Sequence, residues 1–404
     1  MPNHSRPSWI HRLPWISSVL ILTILVVLAL NPTWAAQVQS HLTWMIQPIF
    51  HDWWVVKEGL EAHVDGLDPL AAAHLPYNYP RILLVLGSGL HLQILPPIIS
   101  GLALAAICLS ALALYLGRGN TANIVIGATA LLAPPVWMLV ERGNIDSLVL
   151  TLVLLGLWGA TRKESWVYQL VGVAALLLAS LLKFFPAIIL IGGLFAWPGL
   201  VRRYLLVAVA IFGITLALNP DEPDLILRKT GRGLEASYGW SVAGSRPFIL
   251  DAANTAYEPA VMRSSFATCL IILLGATVVG FRMRHRVGAI LAHDPWQKAG
   301  FWAGALVYVG TFALGANWAY RLAFLLLCLP AIVAVLSHQS CRRWAGITLF
   351  MIAITLFAPF KLNATAFYLV HASEWILTGL LTFGAVAVLL APTNEVLKSS
   401  STGS

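Results

Sequence analysis

Apolar blocks of about 15–20 residues recur along nearly the whole chain and constrain its fold more than any other feature. In lipid, only a helix or a closed barrel satisfies its own backbone hydrogen bonds. A barrel would show strands of about ten residues with alternating polarity, whereas these runs are continuously apolar. Composition agrees: 59% of the 404 residues are hydrophobic and 10% are charged, where a soluble domain carries roughly 25%. The chain is therefore read as an all-α, polytopic membrane helix bundle, a single integral domain over residues 1–404. Its net charge of +8 comes mostly from loop residues, which fits topology signals and anionic lipid rather than nucleic acid. Cys108, Cys269, Cys328 and Cys341 have no metal-ligand spacing, and no disulfide framework is expected.

Arg6 and Arg12 precede the first run, 16–30, which Trp15 and Trp34 flank. Its length and flanks favour an uncleaved anchor over a cleaved signal peptide, for which Thr33-Trp34-Ala35 would be a poor small-x-small site. Further spans are expected at 98–116, 121–140, 144–160, 166–182, 184–197, 204–218, 264–281, 299–316, 322–337, 344–360 and 374–391, twelve in all. Alternate short connections carry the denser basic groups: Arg118, Arg162 with Lys163, Arg202 with Arg203, Arg282 to Lys298, Arg342 with Arg343, and Lys398. The opposite turns carry single basics, Arg142, Lys183, Arg321 and Lys361. Under the positive-inside rule both termini are then cytoplasmic. Two longer segments face outward: 31–97, with interfacial helices, and 219–263, which is rich in charged and aromatic residues.

The stretch 50–81 holds five of the 17 acidic residues, Asp52, Glu58, Glu61, Asp65 and Asp68. Residues 55–62 can be written as a short helix, and Gly66-Leu67-Asp68-Pro69-Leu70 reads as a turn. An acid just outside a span, such as Asp52, deprotonates a hydroxyl if burial and neighbours tune it; an interfacial carboxylate that simply prefers water is the other reading. The outward turns supply context. Arg81, Arg142, Lys183 and Arg321 all fall at the membrane level of Asp52. Singly, each reads as a snorkelling cation. Together they describe a polar cavity at one rim of the bundle, where an Arg fork or a Lys point charge suits phosphate. Glu141 and Asp146 flank a turn, and pairing with Arg142 would explain them. His51, His63 and His74 share a loop without tight ligand spacing, so no metal and no cofactor is expected. No GxSxG, HExxH, P-loop or dinucleotide fingerprint occurs in a convincing context.

An acid soon after the first span, Gly66-Leu67-Asp68-Pro69, then Asn78-Tyr79-Pro80, resembles the GT-C superfamily of polyprenyl-phosphate-sugar-dependent glycosyltransferases. The chain is most similar to glycosyltransferase family 87, which includes bacterial envelope mannosyltransferases. Further echoes are Gly143-Asn144-Ile145-Asp146, Leu182-Lys183-Phe184-Phe185-Pro186, and Asn317-Trp318-Ala319-Tyr320-Arg321-Leu322. The run Asp52-Trp53-Trp54-Val55-Val56 lacks the Val-Tyr common in that family. The resemblance implies Asp52 as catalytic base, and Arg81, Lys183, Arg321, Arg228, Lys229 and Arg232 as groups for the donor phosphate. It also implies Trp53, Tyr79, Arg142, Asn144, Asp146, Asn317 and Tyr320 as substrate contacts. The implied partners are a polyprenyl-phosphate hexose, a lipid or glycan acceptor, and membrane lipid, with inversion at the anomeric carbon. A lipid-linked-sugar flippase or transporter, and a glycan polymerase or ligase, remain the alternatives. Against transport, the charges gather at one face and no internal repeat is visible.

Overall fold

The computed structural model describes residues 9–41, 48–230, 237–242, 259–291, 294–315, 317–358 and 364–391. Arg232, about half of the segment 219–263 and the tail 392–404 lie outside the described residues. The apolar blocks fold as helices, which we number α1 (Leu13–Leu30), α2 (Pro32–His41), α3 (His51–Val64), α4 (Arg81–Gly89), α5 (Pro97–Leu116), α6 (Thr121–Leu131), α7 (Pro134–Glu141), α8 (Asp146–Ala160) and α9 (Trp166–Leu182). They continue as α10 (Ala187–Ala196), α11 (Leu200–Leu218), α12 (Glu222–Lys229), α13 (Pro259–Leu291), α14 (Pro295–Ala313), α15 (Leu329–Val335), α16 (Arg342–Phe357) and α17 (Ala364–Leu389). The strand content is one antiparallel pair among the described residues, β1 (Ser237–Tyr238) with β2 (Asn317–Trp318), in the register Ser237 opposite Trp318 and Tyr238 opposite Asn317.

Among the described residues, five helices are long and apolar enough to cross a membrane by length and composition: Ile10–Leu30, Pro97–Leu116, Leu200–Leu218, Ala260–His285 and Leu369–Leu389. A sixth is added if α6 and α7, bent by 54°, form one span. Length and composition thus support five or six of the twelve expected crossings; proline interrupts three of the expected runs, while α8 and α9 are unbroken but only 15 and 17 residues long. The run expected at 121–140 breaks before Pro134-Pro135, because proline lacks the amide hydrogen and disfavours helix in the preceding residue. That expected at 184–197 gives only the ten-residue α10, set between Pro186 and Trp197-Pro198. The run at 322–337 divides into a 3-10 helix (Ala319–Leu327) and α15, with Pro330 in the first turn of the latter.

Packing follows side-chain size and polarity. Helix α13 lies along α17, which also meets α14 and α16, while α1 packs on α5 and α6. The α8–α9 pair is close because glycines face each other. A Cβ on Gly159 would stand 2.4 Å from the Tyr168 carbonyl oxygen, and one on Gly172 would stand 2.7 Å from the Ala160 nitrogen. Helices α11 and α13 bury only 17% and 11% of their apolar windows, against 56% for α17. They turn Ile214, Leu218, Ile271 and Leu274 outward, as a lipid-facing surface requires. Cys108, Cys269, Cys328 and Cys341 are all buried and unpaired. The start of α3, the α7–α8 turn, the α9–α10 turn and the stretch from β2 into the 3-10 helix meet in one place, and the candidate site is there.

Candidate functional site

The N-terminal turn of α3 is docked on the α7–α8 turn. Phe50 donates its amide to the Glu141 carbonyl at 2.8 Å, and Asp52 donates its amide to the Arg142 carbonyl at 2.9 Å. This places the Asp52 carboxylate against the Arg142 guanidinium. Arg142 Nη2 donates to Oδ1 at 2.7 Å and Nε donates to Oδ2 at 2.8 Å. The Asn144 amide also donates to Oδ2, and Asn144 Oδ1 accepts the Asp146 backbone amide at 2.8 Å. One asparagine therefore ties the Asp52 carboxylate to the backbone of Asp146. Asp52 and Arg142 are each only 6% exposed, so little solvent screening weakens this two-pronged pair.

Asp146, fully buried at the first turn of α8, faces two cations. Arg321 Nε donates to its Oδ2 at 3.1 Å, and Lys183 Nζ stands 3.7 Å from its Oδ1. A helix N-terminus favours a carboxylate at that position. Asn317 holds Arg321 through its side-chain oxygen and gives its own amide to the Thr311 carbonyl. Aromatic faces complete the cation seats. Lys183 lies 4.1 Å from the Tyr79 ring centre, Arg321 4.8 Å from that of Phe185, and Arg142 4.9 Å from that of Trp318.

These groups border a single cavity of ≈ 410 Å³, lined among others by Asp52, Tyr79, Arg142, Asn144, Lys183, Asn317, Tyr320 and Arg321. Three cations line it with one carboxylate, Asp52, while Asp146 pairs with Lys183 and Arg321 without lining the cavity, so the cluster as a whole keeps an excess of one positive charge. Burial pushes the Lys183 ammonium down to about 8, with Asp146 pulling upward and Arg321 adding to the push. Burial drives the Tyr79 hydroxyl well above its ordinary value, so its ring meets the ammonium as a neutral phenol. Arg142 Nη1 is buried without a hydrogen-bond partner among the described residues.

Several expected site residues fall elsewhere. Arg81 is drawn to a neighbouring cavity, where Nη2 meets Asp68 at 2.8 Å and Asp221 at 3.0 Å. Lys229 is spent on three backbone carbonyls, Pro69 at 2.8 Å, Ala72 at 2.6 Å and Leu75 at 3.0 Å. Arg228 is exposed and pairs with Asp224 one helical turn away at 2.7 Å. Trp53 points into the core at 4% exposure and does not line the cavity. Arg142 bonds to Asp52 across 90 residues of chain, where local pairing with Glu141 and Asp146 was expected. The first outward histidines also separate, His51 to the Asp52 cavity and His63 to its neighbour. Sequence reasoning missed Trp318 and Phe185 as seats for Arg142 and Arg321. The signal was there: each lies within four residues of a cation in an outward turn.

No protein-family model matches the chain, and no curated protein matches it.

Proposed function

We propose that the chain is an inverting GT-C-type membrane glycosyltransferase. It moves a hexose, mannose among the candidates, from a polyprenyl-phosphate carrier to an alcohol on a lipid or glycan. The reading includes twelve membrane crossings, cytoplasmic termini, and a site at the extracytoplasmic face of a bacterial inner or plasma membrane. One observation carries it: a buried carboxylate, Asp52, borders the same cavity as Arg142, Lys183 and Arg321.

In this scheme the acceptor oxygen attacks the anomeric carbon from the face opposite the phosphate. The new carbon–oxygen bond forms as the bond to the phosphate oxygen breaks, and the electron pair leaves with the phosphate. The acceptor proton passes to Asp52. A phosphate departs without protonation, so one carboxylate suffices, whereas glycoside hydrolysis uses an acid and a base. Among the described hydrogen bonds Asp52 Oδ1 accepts only one, which leaves it acceptor capacity for the incoming hydroxyl. Lys183 and Arg321 stand ready for the charge gathering on the phosphate, and groups fixed in advance cost no reorganisation when that charge appears. Arg142 and Asn144 hold the base in place. No metal or cofactor enters this scheme.

The test is sugar transfer by the purified full chain in proteoliposomes, with a radiolabelled polyprenyl-phosphate hexose and an envelope lipid extract. The wild type should yield a glycosylated lipid, and Asp52→Ala should yield none. Transfer by Asp52→Ala at the wild-type rate would sink the reading. Movement of the intact carrier across the bilayer without cleavage of the anomeric bond would replace it with the flippase alternative.

A further inference from the structure

A second cavity, of ≈ 540 Å³, adjoins the first, and Pro80 and Phe184 line both. One layer of side chains therefore separates them. The walls of the second come from α4, α9 and α11 and are largely apolar, with Val85, Leu181, Phe212 and Leu216 among them. Phe212 meets Phe184 edge-on at 6.2 Å. Helix α11 is one of the two least buried apolar helices, and Leu67 and Val85 on the cavity wall are more than half exposed. An alkyl chain can thus slide in sideways from the hydrocarbon layer.

The polar end of this cavity has the opposite sign to its neighbour. Arg81 bonds to Asp68 and Asp221 through its guanidinium and to Glu222 through its backbone amide. Arg81 lines this end with two carboxylates, Asp68 and Glu222, whereas Arg142, Lys183 and Arg321 line the first cavity with one, Asp52. Burial raises the Glu222 carboxyl above its ordinary value, and the nearby Asp221 and Asp68 charges push it the same way. A phosphate would meet like charge here and opposite charge next door. An uncharged alcohol carries no such penalty, because its hydroxyls donate to carboxylate oxygens. We infer that the second cavity takes the acceptor as an uncharged, polyhydroxylated lipid, its chain against α4, α9 and α11 and its non-reacting hydroxyls at Asp68 and Glu222, while the reacting hydroxyl reaches past Pro80 and Phe184, which line both cavities, to Asp52. The inference rests on the glycosyl-transfer reading for the demand that the second substrate be an alcohol.

The experiment places the full chain in phosphatidylcholine nanodiscs with either of two photoactivatable probes. Both have one diazirine-bearing alkyl chain; one ends in glucose, the other in phosphate. Labelled peptides are then mapped by mass spectrometry. The glucoside should label α4 and α11 at least about fivefold more than the phosphate does, and unlabelled alkyl glucoside should compete it away. Thr215→Trp, which fills the cavity from a partly exposed position, should cut that labelling by about the same factor. Equal labelling by the two probes, or labelling indifferent to both competitor and Thr215→Trp, would overturn the inference. The phosphate probe reports separately. If it fails to label the peptide around Lys183, the donor site fails, whereas loss of the glucoside signal alone overturns only the acceptor cavity.

Discussion

An Asp52→Asn substitution removes one negative charge and turns a carboxylate oxygen into an NH2 donor. Oδ1 now accepts from Arg142 Nη2, and Oδ2 accepts from Arg142 Nε and from Asn144. Whichever way the new amide turns, its NH2 meets at least one donor head-on. A hydrogen bond to a charged group contributes about 1.5–3 kcal/mol. Leaving Arg142 buried without its counter-charge brings the expected loss to roughly 3–5 kcal/mol. Arg142→Leu strands Asp52 in the same way and should cost a similar amount, about 3–5 kcal/mol. The double variant removes both charges, so its loss should fall short of the sum by at least about 2 kcal/mol. Equilibrium unfolding in mixed micelles, run on the wild type, both single variants and the double, measures this coupling. Additivity to within about 0.5 kcal/mol would refute the claim that the two side chains form one buried unit. The same reasoning governs any activity assay. Because Asp52→Asn damages a structural joint as well as a base, transfer must be expressed per folded molecule before chemistry is blamed.

Three further outcomes follow from the geometry. Lys183, with its ammonium near 8, is charged below that value and neutral above it. Affinity for an alkyl phosphate should therefore weaken as pH rises through 8, by at most about tenfold per pH unit for one proton. Lys183→Arg should flatten the profile, and an unchanged slope in that variant would exclude Lys183 as the titrating group. Arg321→Ala should raise the Kd for the same phosphate at least about tenfold, since a charged hydrogen bond of that class is removed. Arg228→Ala, outside the cavity and solvated, should change it less than about twofold. Equal effects would move the phosphate site away from Arg321. Lys229→Met leaves three carbonyls without their ammonium partner and should loosen the contact of α12 with residues 69–75 by about 1–3 kcal/mol. Amide exchange in 69–75 and 222–230 should accelerate roughly tenfold or more, and unchanged exchange would show that other contacts hold α12.

The helical class was legible because runs of apolar residues leave lipid no other economical backbone. The turns that carry Asp52, Arg142, Lys183 and Arg321 were legible as well, since each interrupts an apolar run with charge. Partner choice was not legible. Arg142 sits beside Glu141 and four residues before Asp146, so local pairing was the natural expectation, yet the docking of α3 brings Asp52 to it from 90 residues away. Arg81, Arg228 and Lys229 read as free phosphate ligands because sequence spacing does not reveal which carboxylate or carbonyl a loop folds back upon. The number of full-length crossings was blurred for a different reason. Hydropathy averages over Pro134, Pro186 and Pro330, whereas each of these residues stands at the start of a new helix just after a break in the run.

The joint between α3 and the 141–144 turn has an energetic oddity that bears on function. Phe50 adopts a left-handed backbone, with φ of 64°, which a residue with a Cβ enters at a cost of about 1–2 kcal/mol. Its ring is fully buried and fits only because positions 101 and 143 lack side chains. A Cβ on Gly101 would stand 2.2 Å from that ring, and one on Gly143, itself at φ 59°, would stand 3.1 Å from the Phe50 Cβ. Burial of the ring contributes about 1.5–3 kcal/mol, enough to offset the strain and little more. Two residues on, the chain buries an ion pair that well-packed apolar side chains would replace at no loss of stability. A joint built for stability alone would contain neither the strained Phe50 nor the Asp52–Arg142 pair. Both become intelligible if the requirement is instead to hold a carboxylate still at the edge of a cavity that also contains Lys183 and Arg321, where an acceptor hydroxyl and a departing phosphate would meet.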